Sequence, residues 1–288
     1  MRKTLPKLAV ILATLALGRH VAAQPLIAQV ASIECVVANA DLVFVAKIIK
    51  VGDAEKIDGR EVCNTTIEIE ETLKQEPFND EPYTKLQMEM PRDRVVLTEW
   101  KEQSTRLLVM YDEDAPHATE LIELVPGEME LFKADFTLLR DPDPVILAAK
   151  EAIARMPKGV KRVHTFGLHV PHETVAETSW KQFHGLILNV PVDQQLEQRA
   201  LKFIRSESYQ RREEGARALR YFPSDDNTRE LRKLLKDPGF GYLHHAQQNN
   251  GVEVRIYGVR HAAFHTLKAW GAMVDEPVTR EEVRKFSQ

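Results

Sequence analysis

Two faint copies of one pattern occupy residues 199–286, and they constrain this chain more than any other feature. Arg212, Gly215, Leu219 and Phe222 recur 48 positions later as Arg260, Ala263, Leu267 and Trp270. Spacings of three, four and three place each set along one face of an α-helix. The sequel recurs too: Thr228-Arg229-Glu230 before Leu231-Arg232-Lys233-Leu234, then Thr279-Arg280-Glu281 before Val283-Arg284-Lys285-Phe286. A period of this length, built from helix pairs, is the mark of an α-solenoid whose units bury their apolar faces on one another. Surfaces of that kind mostly bind other macromolecules.

The N-terminus reads as a leader. Arg2, Lys3 and Lys7 form a basic start, Leu8 to Leu17 is an uncharged and mostly apolar run, and Val21-Ala22-Ala23 offers small side chains for cleavage before Gln24. The apolar run covers only about half of a ~30 Å hydrocarbon core, too little for a membrane span. The expectation is a signal peptide over residues 1–23 and a secreted or periplasmic product, with retention of the leader as an anchor the alternative. In an oxidising compartment Cys35 and Cys63 can pair as a disulfide; two separate buried thiols are the other reading.

Charge is divided unevenly. Residues 41–140 carry 23 acidic and 12 basic side chains, whereas residues 193–288 carry 14 and 17. A net-acidic chain with no basic stripe is a poor partner for nucleic acid.

Residues 30–140 are dominated by strand signals. Leu42 to Val51 is β-branched and apolar, as a largely buried strand would be. Val62 to Leu73 alternates, with Thr65, Ile67 and Ile69 on one face and Thr66, Glu68 and Glu70 on the other, so it is buried on one side. Thr84 to Met90, Arg106 to Asp112, His117 to Val125 and Met129 to Leu139 complete five or six short antiparallel strands, a sandwich or small barrel. The run Ala40-Asp41-Leu42-Val43-Phe44-Val45-Ala46-Lys47-Ile48, with a Cys just before it, resembles the opening of the netrin-like, oligonucleotide/oligosaccharide-binding-type barrels, a family that includes tissue inhibitors of metalloproteinases. Thr66 to Lys74 resembles their second strand running into a leucine-lysine turn. The inhibitors chelate the protease zinc through a Cys at the mature N-terminus; Cys35 lies about a dozen residues past the expected cleavage point, a departure from that mechanism.

Residues 141–192 read as a connector. Asp143 and Pro144 signal the start of a helix that runs from Val145 to Met156. Val163 to Val170 and Leu186 to Val190 follow as a strand pair. Histidines gather from here onward: His164, His169, His172, His184, His244, His245, His261 and His265. His261 and His265 have the helical spacing of a zinc-binding pair, but no carboxylate stands between them as in His-Glu-x-x-His, so helix-surface histidines are the expectation and no metal or other cofactor is assigned. The chain has no Gly-x-Ser-x-Gly elbow, phosphate-cradling glycine loop or dinucleotide fingerprint, and no catalytic residue is assigned.

Residues 193–288 read as helical throughout. Asp193 caps a helix with Leu196, Ala200, Phe203 and Ile204 on its apolar face. Tyr209 to Tyr221 is the second; the third starts at Asn227 and ends at Asp237-Pro238-Gly239. Val252 to Trp270 is the fourth, closed by Gly271, and Thr279 to Phe286 a short last one. The pattern resembles HEAT-type repeats, with Gly215 and Ala263 permitting close helix approach and Arg212 and Arg260 where such repeats place a charge. The Arg-Glu-Glu-Gly-Ala-Arg-Ala-Leu-Arg-Tyr-Phe run and Ala-Trp-Gly also resemble uncharacterised exported proteins of planctomycete-like bacteria. Residues 237–251 form a long loop, and Phe240, Tyr242, His244 and His245 are its candidate binding residues.

The resulting expectation is an α+β chain: a small antiparallel β-barrel of the netrin type, then a HEAT-like helical domain over 193–288. Its function reads as an exported, non-catalytic adaptor for an unknown protein partner in the envelope or extracellular space. An extracellular protease inhibitor or accessory factor is the alternative, and a zinc-dependent hydrolase the second alternative.

Overall fold

The computed structural model describes residues 27–57, 60–75, 83–112, 119–167, 185–242 and 252–284. The expected leader and cleavage point, His169, His172, His184, His244 and His245 lie outside them. Mixed α+β structure runs through two compact units, one of residues 1–165 and 170–191, the other of residues 166–169 and 192–288.

The first unit is built on a five-stranded antiparallel sheet. Strand β1 (Ile27–Ala31) precedes helix α1 (Ile33–Asn39), and then come β2 (Leu42–Ile57), β3 (Arg60–Lys74) and β4 (Lys85–Met90). Helix α2 (Arg94–Glu102) separates these from β5 (Arg106–Tyr111) and β6 (Glu120–Glu123). The sheet order is β4-β3-β2-β5-β6. The barrel expected here is not closed: among the described residues β4 and β6 are the two edges of an open sheet.

Strand β2 is central, and its first part, Leu42 to Ala46, has no polar face. Val43 and Val45 point with Leu108 and Met110 into one core cluster; Leu42, Phe44, Ala46 and Ile48 point with Leu107 and Val109 into the other. Successive residues take opposite faces, so an unbroken apolar run means burial on both. Strand β3 keeps the expected alternation: Thr65 and Ile67 are fully buried while Glu68 is exposed. Register shifts break the β2–β3 ladder at four points, each bending the long hairpin.

Over the first face lie α1 and α3 (Pro142–Arg155), with Val37, Ala38, Val145, Ala149 and Ala152 in the shared core. Ser32 caps α1, and Lys74 donates its ammonium to Ala38 O at 2.9 Å and to Ala40 O, so the end of β3 closes the end of the helix. Asp141, not Asp143, is the residue before α3, and Pro142 takes its first turn. The Asp-Pro signal occurs twice in a row, and the chain uses the earlier copy. A small hairpin, β7 (Leu131–Phe132) with β8 (Leu138–Leu139), is tied to α1 by Ala134 N–H donating to buried Glu34 Oε2 at 2.9 Å. Residues 141–165 and 185–191 thus supply α3, most of β9 (Val163–Phe166) and β10 (Gly185–Pro191) to this unit; β10 pairs with β9 and, in parallel, with β1.

The second unit holds helices α4 (Gln194–Phe203), α5 (Tyr209–Ala218, prolonged by a 3-10 turn to Tyr221), α6 (Asp225–Leu234) and α7 (Gly258–Ala269). Asp193 caps α4, its carboxylate accepting Leu196 N–H at 3.0 Å. Ser224 caps α6 in place of the expected Asn227, whose side chain instead donates to Glu197 and to Phe222 O. Gly215 allows α5 to lie on the end of α4: a β-carbon there would stand 2.7 Å from Ala200 O and 2.8 Å from Ile204 N.

Two segments read as helix are strands. Residues 252–256 form β12 (Val252–Ile256), which pairs with β11 (Gly241–Tyr242) and with β13 (Arg280–Arg284), the segment expected as the last helix. In β12, Val252, Val254 and Ile256 alternate with Glu253 and Arg255, a period of two. The helical domain therefore includes a three-stranded antiparallel sheet.

Candidate functional site

The two core clusters of the first unit are apolar, so chemistry must be sought among polar groups elsewhere. The cysteines offer none. The expected Cys35–Cys63 disulfide is not formed: both residues are buried thiols. Cys35 belongs to α1 and directs its thiol to Asn189 O at 3.5 Å; Cys63 faces the opposite cluster beside Met90 and directs its thiol to Arg92 O at 3.6 Å. They sit in layers on either side of the sheet, which keeps them apart. Burial also pushes the Cys63 thiol up, away from nucleophilic thiolate.

A surface hollow of about 400 Å³ is lined by Arg94, Val95, Thr98, Glu99 and Glu102, all from the one helix α2. A site for chemistry normally gathers polar groups from several elements, and this hollow does not.

The convergent polar groups lie in the second unit, around the turn after α6. Arg212 of α5 forms a bidentate pair with the Asp237 carboxylate, at 2.7 and 2.9 Å, and donates its remaining terminal nitrogen to Ser206 O and Glu207 O. Both side chains are largely buried. Arg260, its counterpart 48 residues on, donates to the backbone oxygen of the same residue, Asp237 O, at 2.7 Å and to Val278 O at 3.1 Å. The duplicated arginines thus end on one residue. The accepting carboxylate holds the Arg212 guanidinium above its usual range, firmly charged.

From this anchor the chain passes directly into the candidate binding residues. Phe240 sets its ring edge-on to Tyr242 at 5.3 Å and to Tyr257 at 5.8 Å. Arg255, which opposes Tyr242 across the β11–β12 pair, covers Phe240 with its guanidinium 4.6 Å from the ring centre. Arg260 lies 3.8 Å over Tyr257, whose hydroxyl donates to Glu281 Oε2 of β13 at 2.6 Å. Tyr242 is 48% exposed while Tyr257 is buried, so the cluster has a fixed base and an open top. The structure brings Phe240 and Tyr242 together. Arg255, Tyr257 and Glu281 join them, unforeseen because their segments read as helix; the alternation at 252–256 was the signal that would have found Arg255.

Of the histidines in the described residues, His164 is buried in β9, and His261 and His265 are exposed on α7 with ring centres 4.2 Å apart. No group of three or more His, Cys, Asp or Glu side chains with metal-holding geometry occurs among the described residues. Nor is any described helix long and apolar enough to cross a membrane. Comparison of the chain with family models, with curated proteins and with solved structures returns no match.

Proposed function

We propose that this chain is an exported, non-catalytic adaptor that binds another protein through the aromatic–arginine cluster of its second unit. The observation that carries the reading is the exposed Tyr242 ring, seated on Phe240 and backed by Arg255 and Tyr257. Tyrosine and arginine dominate binding hot spots because each offers a large contact area with a polar tip. Here their rotamers are held before any partner arrives, which lowers the entropic cost of association. His244 and His245, the other two candidate binding residues, lie outside the described residues.

The HEAT-like relationship is supported by the placement of the duplicated positions. Leu219 and Leu267 are both fully buried, in helices that pack together through Thr266 Oγ1 donating to Ala216 O at 3.0 Å and Trp270 Nε1 donating to Arg220 O at 3.0 Å. The netrin-like relationship draws support from strand order. Strands β5-β2-β3-β4 lie side by side as fourth, first, second and third of the sheet, the Greek-key order found in partly open five-stranded barrels of the oligonucleotide/oligosaccharide-binding type.

Affinity capture from the native envelope and secretome tests the proposal. The wild-type chain should retain a defined protein that Tyr242→Ala and Arg255→Ala lose, with the circular dichroism of all three unchanged. Retention of the same proteins by wild type and both variants would exclude this surface. Recovery of the chain from the cytosolic fraction alone would exclude export.

A further inference from the structure

His261 and His265 stand one turn apart on α7 and share its solvent face. The opposite side of the helix is fixed: Ala262, Ala263, Thr266 and Leu267 are buried. The two imidazoles are tilted at 54° to one another with their centres 4.2 Å apart, and Phe264 sets its ring edge-on to His265 at 5.4 Å. Neither imidazole exchanges a hydrogen bond with a described residue, so their ring nitrogens are open to a ligand. They add nothing to the core that an alanine would not.

Chemistry favours a metal ion over any other ligand for such a pair. A neutral imidazole presents a lone pair on one ring nitrogen, the form that ligates. Imidazole suits zinc, nickel and copper, with metal–nitrogen bonds of about 2.0–2.1 Å for zinc, and two histidines four apart on one helix face supply two such bonds without backbone movement. Glu213 is engaged by Arg217, and Glu276 is exposed.

We propose that His261 and His265 form a two-imidazole site for a divalent ion of the zinc, nickel and copper class. Its remaining coordination positions are open to water or to a donor side chain of a docked protein. Among the described residues there is no third ligand, so the site binds rather than catalyses. It stands on α7 alone and does not rest on the adaptor reading.

Titration calorimetry with zinc, nickel or copper chloride alone, on the full chain in a non-coordinating buffer, tests it. One ion should bind per chain, copper tightest in keeping with the general order of divalent affinities. His261→Ala and His265→Ala should each weaken binding by about tenfold or more, since even the loss of an outer partner costs a site that much. Copper should also broaden the imidazole proton signals of these two residues first in the wild-type spectrum. Isotherms unchanged in both variants, broadening confined to other histidines, or no saturable binding by the wild type would each overturn the proposal.

Discussion

Ser104 holds a backbone conformation that suits it poorly. It follows α2 with φ at +51°, in the left-handed region, while Thr105 N–H reaches back to Trp100 O at 2.8 Å and Ser104 N–H to Lys101 O at 3.1 Å. This is the Schellman end of a helix, where glycine is the usual residue because a β-carbon there costs about 1–2 kcal/mol. The equivalent position after α7 is Gly271, at φ +76°. Ser104→Gly should therefore raise stability by about 1 kcal/mol, read as a higher urea midpoint with an unchanged slope. Glu34 shows the opposite kind of strain, electrostatic and not steric. Burial raises its carboxyl above the ordinary range, against hydrogen bonds from the backbone and Ser32 and the charge of Arg155. A raised folded-state value means that the folded chain holds this proton more tightly than the unfolded one. Its contribution is then most favourable below the ordinary carboxyl range and declines as pH climbs through the raised value. Glu34→Gln, which keeps an acceptor for Ala134 N–H, should be at least as stable as wild type at pH 7 and flatten that decline, as denaturation at pH 4 and pH 7 will show.

Elements obeyed the sequence wherever one local signal stood uncontested. The apolar run in β2, the alternation of β3 and the Asp193 cap all read directly. Helix α2 escaped notice because its buried face is narrow, Leu97 and Trp100, within an otherwise polar segment. Residues 280–284 (REEVR) favour a helix on composition, yet β12 offers them a ladder and Glu281 a tyrosine hydroxyl, and tertiary pairing outweighs a propensity of a few tenths of a kcal/mol per residue. The same competition turned 252–256 into a strand, where the apolar positions fit both periods over so short a run. Because of those two strands the sequel of the pattern is not duplicated in structure: α6 follows α5, whereas β13 follows α7. Only the Arg–small–Leu–aromatic half recurs as helix. Leu219→Ala and Leu267→Ala should each cost about 2–5 kcal/mol, the range for emptying a packed leucine site. The double variant should fall short of their sum, since α5 and α7 share one seam and its packing is lost only once. Full additivity in equilibrium denaturation would mean that the two leucines serve separate cores.

At the scale of the whole molecule, half of the candidate patch was legible as an aromatic loop, Phe240 and Tyr242, and half was not. The arginine over Phe240 comes from position 255 and the one over Tyr257 from position 260, and only the fold reveals that they meet. Charge division could be counted beforehand, but its physical form could not: acidic side chains of the first unit pair locally, as Glu70 does with Lys47 at 2.6 Å and Arg106 at 2.7 Å. Asp237 is where the second unit is most concentrated. Its carboxylate takes one repeated arginine and its carbonyl the other, while its Oδ1 also accepts Gly239 N–H at 2.8 Å. Asp237→Ala should cost about 3–5 kcal/mol, because the Arg212 charge is then buried without a counter-ion. Hydrogen-exchange mass spectrometry should find faster exchange across 209–242 and 258–269 together, with β2 and β5 protected as before. Those two arginines moor separate helices to a single cleat, and whatever slackens that cleat also lets the aromatic face beside it drift.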